Sequence, residues 1–349
     1  MRPEIATRLA QCILEEALPV GRAVGLERLA GARLLVTGAS GLIGLWLLAS
    51  LPEDPRRRPA QVTAVTRGEP APYFGVLAER KKARVLSGDL TQACFRQTLP
   101  VADVIVHAAG YGQPGRFLAD PRATLALNVC ASIDLLALLD PGGRYLYLST
   151  SEVYSGLPPG AHEEEQIGTT NTDHPRASYI EAKRAGEVLC HAAGGAGITA
   201  RAARVALAYG PGVRLDDARV LNAFIRRGLS GAVTLADHGQ ALRTYCYAAD
   251  TLEMLWRILL DGRRVVYNVG GKSRTTIADL AGRIGALTNA PVVMPQTAAP
   301  LSGSPGEVCL SLARIEEDFG KRDFVPLEAG LTRTVEWLRL LAIAEEEKR

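Results

Sequence analysis

The chain has 349 residues, 47% of them hydrophobic, which is enough for one large domain or two ordinary ones around a sizeable core. Forty basic and 37 acidic residues leave a formal charge of +3, far from the basic excess expected of a nucleic-acid-binding protein. Six scattered cysteines form no C-x-x-C pair, so the sequence favours reduced thiols in a cytoplasmic protein over a disulfide framework or a metal site.

Residues 1–30 are predicted to form an N-terminal helical extension. Apolar side chains recur at roughly helical spacing, from Ile5 and Leu9 to Leu18, and charged residues between them leave no apolar stretch of signal-peptide length. The next apolar window, 34–51, is interrupted by three glycines and fits a strand and turn better than a membrane span. We therefore expect a soluble protein whose first helix packs on its body or on a second subunit.

Residues 31–205 alternate between short β-rich runs and helical stretches. The β-rich runs are RLLVTGA, QVTAVTR, ARVLSGD, DVIVHAAG and RYLYLSTS. Apolar strands separated by helices predict the α/β class, with a doubly wound parallel sheet of the Rossmann type that binds a dinucleotide. Residues 206–349 are less regular, and we expect them to form mainly a smaller substrate-binding lobe interwoven with the first domain.

Three glycines, Gly38, Gly41 and Gly44, lie in VTGASGLIG between the first predicted strand and an apolar helix. Glycines at such a turn let the backbone approach a pyrophosphate, and the helix N-terminus offers free N–H groups. This context predicts dinucleotide binding, with a tight strand-to-helix turn as the alternative. The second strand ends in Thr66 and Arg67 rather than an acidic residue. NAD is the expected cofactor, but NADP stays open because an arginine can accommodate a 2′-phosphate.

Tyr179 and Lys183 lie four residues apart in RASYIEAKRAGEVL, on one face of a predicted helix. A nearby ammonium and an oxidised nicotinamide ring would lower the pKa of this tyrosine, which could then take a proton from a hydroxyl. The run YLSTSEVYS, residues 147–155, ends a predicted strand in hydroxyls and a carboxylate. Ligands bind at the carboxyl ends of such strands, so this run is expected to form one wall of an active site; a turn with a helix cap is the alternative.

The G-x-x-G-x-x-G spacing, the Tyr-x-x-x-Lys pair and the hydroxyl cluster together resemble the extended short-chain dehydrogenases/reductases, the NAD-dependent epimerase/dehydratase family acting on nucleotide sugars. The resemblance covers nearly the whole chain and implies a homodimer formed through helices at 122–139 and 177–195. It assigns the catalytic hydroxyl to Thr150, with Ser151 and Glu152 at the two places where these enzymes differ in chemistry. The cofactor contacts that it implies are Gly38, Ser40, Gly41, Leu42, Ile43, Gly44, Arg67, Asp89, Leu90, Ala108, Ala109, Tyr179 and Lys183.

Within that family, STSEVY, PRASYIEAKRAGE, YGPGVRLDDARV and RTYCYAAD are most similar to the UDP-glucuronic acid decarboxylases. That similarity implies oxidation of the sugar at C4 by bound NAD, loss of carbon dioxide from C5 and return of the hydride, with Glu152 orienting water or a proton for C5. Arg219 and Arg243 are expected at the diphosphate, because guanidinium forks match phosphate oxygens. Tyr111 and Gln113 are further substrate-binding candidates.

Two departures leave other reactions open. The loop after HAAG reads YGQPGRF where the decarboxylases carry a serine-containing run, and Leu207 stands where the family typically has a substrate-contacting asparagine. The alternatives are a C4 epimerase, a 4-oxidase or 4,6-dehydratase of another nucleotide sugar, and an NADPH-dependent carbonyl reductase, which Arg67 favours. Ser151 argues against dehydration because 4,6-dehydratases usually carry aspartate there. A non-catalytic cofactor-binding protein is disfavoured, because the catalytic hydroxyl, tyrosine and lysine are all present.

Overall fold

The computed structural model describes residues 1–295 and 306–346. Its strands are β1 (Arg33–Thr37), β2 (Gln61–Thr66), β3 (Ala83–Ser87), β4 (Ala102–His107), β5 (Leu139–Thr150), β6 (Ala161–His162), β7 (Thr199–Val205), β8 (Ala208–Tyr209), β9 (Val233–Thr234), β10 (Leu242–Tyr247), β11 (Val266–Val269), β12 (Ser273–Thr276), β13 (Val292–Val293) and β14 (Glu307–Leu310). Its α-helices are α1 (Pro3–Val24), α2 (Leu42–Ala49), α3 (Pro72–Arg80), α4 (Ala93–Arg96), α5 (Pro114–Ala119), α6 (Pro121–Leu125), α7 (Ala131–Leu136), α8 (Ala177–Ala192), α9 (Val220–Leu229), α10 (Ala248–Asp261), α11 (Ile277–Thr288), α12 (Ala313–Phe319) and α13 (Leu327–Glu346).

Seven parallel strands of the described chain form the main sheet, in the order β11-β7-β5-β4-β1-β2-β3. The central strands are buried along nearly their whole length because helices cover both faces, which is why their sequences are continuously apolar rather than alternating. The five predicted β-rich runs correspond to β1 to β5. The doubly wound α/β prediction is confirmed.

The strand order reverses beside β1, and this reversal positions the candidate site. The chain runs outward from β1 through β2 to β3, then returns to place β4 on the other side of β1. The loops that follow β1 and β4 therefore leave the same edge in opposite directions, and a crevice opens between them. The register pairs Thr37 with His107, so the two strands end side by side.

The C-terminal part contributes to the main sheet, to a second sheet and to the two-stranded pair β13-β9. Strands β12, β10, β14 and β6 form a second sheet, and β8 pairs with β10. Strand β11 instead joins the edge of the main sheet by pairing with β7. The two parts are thus interwoven, and the division near residue 205 stays a prediction.

Helix α1 occupies most of the predicted N-terminal extension and is followed by a 3-10 turn, Leu26–Leu29. It buries one face, which includes Leu9, Ile13 and Ala17, against the helices on one side of the main sheet. The carboxylate of Glu16 also accepts a hydrogen bond from the Tyr247 hydroxyl at 2.7 Å. The extension is therefore part of the core of this chain. No helix of residues 1–295 and 306–346 is both long and apolar enough to cross a membrane.

Candidate active site

The glycine loop packs directly against the loop after β4. Gly38 has a left-handed backbone (φ +65°), and a Cβ there would lie 2.6 Å from the Ala109 nitrogen. A Cβ on Gly44 would lie 2.3 Å from the Gly38 oxygen, so this glycine lets α2 approach the loop. Gly41 has an ordinary backbone and caps α2 without a side-chain hydrogen bond. The first N–H groups of α2, at Leu42 and Ile43, therefore have no side-chain cap. Uncapped N–H groups at a helix N-terminus can bind an anion.

A buried hydrogen-bond chain fixes the loop after β4. The Ala109 N–H donates to Thr37 Oγ1 at 3.2 Å, and Thr37 Oγ1 lies 2.7 Å from His107 Nδ1. His107 Nε2 lies 3.1 Å from the Leu127 carbonyl oxygen, which can only accept, so Nε2 carries the proton and Nδ1 accepts. Burial lowers the pKa of His107 to about 3, so the ring stays neutral. The backbone beside Gly38 is therefore held by a fully satisfied histidine.

Further expected cofactor contacts lie in the loops that follow three strands, β2, β3 and β4. The exposed Arg67 guanidinium lies 5.6 Å from the centre of the Tyr111 ring. Burial raises the pKa of Tyr111, which the charge of Arg67 lowers and that of Asp89 raises, so the loops after β2, β3 and β4 meet there. Asp89 accepts a hydrogen bond from the Thr91 N–H at 2.9 Å, and the adjacent Leu90 is buried. Together with the glycine loop, these features fit a dinucleotide laid across the crevice.

Thr150, Tyr179 and Lys183 meet at the carboxyl end of β5. The Thr150 hydroxyl lies close enough to Tyr179 to lower its pKa, and it accepts a hydrogen bond from the Glu152 N–H at 3.3 Å. Thr150 therefore also caps the 3-10 turn Ser151–Tyr154. The cap considered as an alternative to an active-site wall is thus formed by the same residue. Lys183 Nζ donates to the Leu148 carbonyl at 2.6 Å and lies 5.9 Å from the centre of the Tyr179 ring.

The same lysine approaches the loop after β4. A Cβ built on Gly110 would lie 3.4 Å from Lys183 Nζ. The half-buried Ala108 and Ala109, which immediately precede this glycine, contact the glycine loop at Gly38. The predicted catalytic and cofactor-binding residues are thus contiguous at one edge of the sheet. Ser40 lies in the glycine loop, and Ser151 is half-buried directly after Thr150.

The pKa of Tyr179 is raised in the protein without cofactor. In the protein alone, burial and then the charge of Glu152 raise this pKa to about 12. The Thr150 hydroxyl, Arg176 and Arg219 lower it, in that order. Burial also lowers the pKa of Lys183 to about 7, which weakens the ammonium on which the expectation relied. Both groups are more deeply buried than helix spacing can indicate, and a lowered pKa of Tyr179 with oxidised nicotinamide bound stays a prediction.

Two residues that the sequence reasoning did not single out surround Tyr179. The Phe117 ring lies parallel to the Tyr179 ring, with centroids 4.3 Å apart. Arg176 lies over the Phe117 ring at 5.4 Å and contacts Glu152 Oε1 at 3.0 Å. The signal for Arg176 was present in PRASY, one helical turn before the tyrosine. Gln113 is the N-cap residue of α5, the short helix that carries Phe117.

Arg219 and Arg243, the residues expected at the diphosphate, both lie near Tyr245 of β10. Burial raises the pKa of Tyr245, and the charges of the two guanidinium groups lower it. Arg219 Nη2 contacts Asp217 Oδ2 at 2.6 Å, and its charge reaches Tyr179 as well. Arg243 donates instead to the Leu242 carbonyl at 2.7 Å. Arg219 therefore lies near the catalytic residues, whereas Arg243 belongs to strand β10 of the second sheet.

The model of the NAD dependent epimerase/dehydratase family matches residues 34–270. The chain belongs to this family. The predicted family is thereby confirmed, and NAD is the cofactor that its description names. The matched segment runs from β1 to just beyond β11, so it includes the whole main sheet and every predicted catalytic residue.

Two relatives illustrate the range of reactions among similar proteins. UDP-glucuronic acid decarboxylase 6 of Arabidopsis thaliana is 28% identical over 316 residues, covering 88% of this chain and 89% of the relative. A dTDP-4-dehydro-6-deoxy-D-allose reductase of a Streptomyces species is 28% identical over 328 residues, covering 90% and 98%.

Solved structures share the fold. A UDP-glucuronic acid 4-epimerase from Bacillus cereus, in complex with UDP-glucuronic acid and NAD, has a TM-score of 0.73 at 22% identity, covering 88% of this chain and 99% of its own. A dTDP-glucose 4,6-dehydratase from Streptomyces venezuelae with NAD bound also has a TM-score of 0.73, at 24% identity, covering 88% and 97%.

Proposed function

We propose that the protein is a nucleotide-sugar-modifying enzyme that oxidises the sugar at C4, and that its overall reaction is the decarboxylation of UDP-glucuronate or of a close analogue. The observation that carries the proposal is the buried Tyr179, close enough to Thr150 for that hydroxyl to lower its pKa and one turn from Lys183, at the edge where the glycine loop lies. The decarboxylases among the relatives support the choice of reaction.

The chain's own residues perform the proton chemistry in this proposal. When bound, NAD supplies a reversible hydride acceptor and a positively charged ring. Tyr179 takes the proton of the hydroxyl that is oxidised, and Thr150 orients that hydroxyl by a hydrogen bond. Because burial and Glu152 raise the pKa of Tyr179, nearby positive charge must favour the phenolate, and Arg176 and Arg219 supply part of it.

A 4-keto group explains how the same site could remove carbon dioxide. A carboxylate at C5 is β to that ketone, so the electron pair of the breaking C–C bond can spread onto the 4-oxygen. The Tyr179 and Thr150 hydroxyls are placed to stabilise the negative oxygen that results. Glu152 lies beside Tyr179, and its carboxylate is assigned to orient the water that delivers a proton at C5, while Arg219 is assigned to the diphosphate.

A second candidate is reduction of a 4-keto nucleotide sugar, the class of reaction named for the Streptomyces relative. The exposed Arg67 favours it, because a guanidinium after β2 can pair with the 2′-phosphate of NADPH. Stoichiometric consumption of added NADPH would distinguish this reaction from a cycle that regenerates its cofactor.

The proposal includes a homodimer. The helices that the family resemblance assigns to the interface carry large exposed apolar side chains, namely Leu125 and Ile133 on the α6–α7 side and Val188 on α8. Exposed apolar groups on neighbouring helices are typical of an interaction surface. The sequence-based expectation of a cytoplasmic protein is retained, in keeping with six free cysteines.

The experiment is to incubate the purified protein and NAD with a panel of nucleotide sugars that includes UDP-glucuronate, and to analyse the products by mass spectrometry and proton NMR, which distinguishes epimers of equal mass. Loss of carbon dioxide supports decarboxylation, loss of water a dehydratase, a two-hydrogen change an oxidase or reductase, and an isobaric product an epimerase. A Tyr179→Phe preparation is the matched control for contaminating activities. Unchanged mass and stereochemistry for every sugar would refute the proposal.

A further inference from the structure

Arg176 joins the two elements that carry the proposed proton-transfer groups. It takes the N-cap position of α8, and its carbonyl accepts the N–H groups of Tyr179 and Ile180, each at 3.1 Å. Its Nη2 contacts Oε1 of Glu152 at 3.0 Å, on the 3-10 turn that follows β5. One guanidinium therefore connects the start of the tyrosine helix with the carboxylate beside Thr150.

Phe117, on α5, contacts the Arg176 guanidinium as well. Its side chain is 1% exposed although its neighbours Arg116 and Leu118 on α5 are exposed. Its ring is nearly parallel to Tyr179, at an angle of 8°, and Arg176 lies 5.4 Å from its centroid. Aromatic stacking and the cation–π contact both restrict rotation, so Phe117, Tyr179 and Arg176 pack as one unit.

The ion pair with Glu152 depends on a single close contact. Glu152 Oε2 and Arg176 Nε are both buried and have no hydrogen-bond partner among the described residues. The pair is therefore not the two-pronged fork that arginine and carboxylate usually prefer. A buried carboxylate that loses its counter-charge takes up a proton more readily than one in water. The contact at Nη2 is thus what opposes protonation of Glu152.

We propose that Arg176 is a positioning residue that keeps Glu152 ionised and oriented beside the Tyr179 hydroxyl. The consequence for turnover rests on the proposed function, but the ionisation of Glu152 does not. Burial raises the pKa of Glu152 and Arg176 lowers it, while Glu152 in turn raises the pKa of Tyr179. Among the charged groups nearby, Arg184 donates to the Val153 carbonyl of the 3-10 turn and to Glu181. Lys183 and Arg219 instead act at Tyr179.

The test measures the ionisation of Glu152 without substrate. The protein is labelled with ¹³C at the glutamate carboxyl carbon, and the signal missing from Glu152→Gln identifies Glu152. In Arg176→Gln, that carboxyl should titrate about one pH unit or more above the wild type, because the counter-charge is lost while the burial is kept. Arg176→Lys, which keeps the charge and protects the fold, should shift it by less. The control is Arg122→Gln, which removes an exposed arginine of α6 and should shift nothing.

Turnover gives the second measurement. If the ionised carboxylate is required, activity falls as the pH drops through the pKa of Glu152, so the acid limb of kcat/KM should move to higher pH in Arg176→Gln. In a Glu152→Gln background the same change should move no acid limb. An unchanged Glu152 titration in both Arg176→Gln and Arg176→Lys would overturn the inference, even if the enzyme is active. A shifted titration in a protein that converts no nucleotide sugar would refute the proposed function and leave the inference standing.

Discussion

Replacing Gly44 by alanine should damage both the fold and the cofactor site. The new Cβ would lie 2.3 Å from the Gly38 oxygen and 2.6 Å from the Ala39 Cα, both backbone atoms that cannot rotate away. Ordinary contact would require α2 to move by about 1 Å, and overpacking of this kind costs about 1–3 kcal/mol. The melting temperature should then fall by a few degrees.

The same displacement should weaken NAD binding. The uncapped N–H groups of α2 move with the helix, and loss of even one hydrogen bond to a charged ligand, about 1.5–3 kcal/mol, lowers affinity at least tenfold. Calorimetric titration with NAD and thermal unfolding measure the two effects. Gly75→Ala is the matched control, because Gly75 also lies within a helix, α3, and a Cβ there would meet nothing within 4 Å. Gly44→Ala protein as stable and as tight for NAD as Gly75→Ala would refute this reasoning.

Three further predictions use other parts of the structure. Tyr179→Phe keeps the ring stacked on Phe117, so it should lower turnover about 10²–10⁴-fold while changing the free energy of unfolding by no more than about 1 kcal/mol, as rate assays and urea unfolding would show. Arg67→Ala removes an exposed cation–π contact worth about 0.5–1 kcal/mol and should weaken NAD two- to fivefold in titrations, whereas Tyr111→Phe, which keeps the ring, should not. Lys82 is exposed and has a left-handed backbone (φ +52°) just after α3, so Lys82→Gly should raise the free energy of unfolding by about 0.5–1 kcal/mol and Lys82→Ala should not.

The parts of the site that were predictable are those encoded in short sequence spacings. Gly38 and Gly44 are needed because two backbone segments meet there, and this requirement leaves a local pattern. Tyr179 and Lys183 share a helix face because four residues are about one turn. The strands β1, β2, β4 and the C-terminal half of β5 were recognisable because burial on both faces requires continuous apolar runs.

The other contacts depend on how distant segments pack. Phe117 lies 62 positions before Tyr179, and no spacing rule brings the two rings together. The predicted helix at 122–139 is divided by a π-helical turn, Ala126–Cys130, where Asn128 donates to the Thr124 carbonyl at 2.8 Å. Leu207, noted as a departure from the family, has a left-handed backbone (φ +45°) in which asparagine is far better tolerated. The sequence shows that a leucine stands at this position, but it does not show the left-handed backbone.

The buried lysine connects catalysis with stability in a way that pH can test. Lys183 is 4% exposed and lies 4.9 Å from the centre of the Tyr147 ring, and burial lowers its pKa from 10.5 to about 7. Between these values the unfolded chain binds a proton that the folded protein does not. The stability of the wild type should therefore fall as the pH drops from 10.5 towards 7, by up to about 1.4 kcal/mol per pH unit, and this contribution should level off below pH 7.

Lys183→Met removes this group, so the difference in free energy of unfolding, wild type minus variant, should grow as the pH rises from 7 to 9.5. Urea unfolding at three pH values measures it, and Lys272→Met, which replaces an exposed lysine, should give a curve parallel to the wild type. Parallel curves for Lys183→Met would show that the amine keeps its ordinary proton affinity in the fold. A growing difference would mean that the protein tolerates a destabilising amine beside Tyr179, one able to gain or lose a proton near neutral pH.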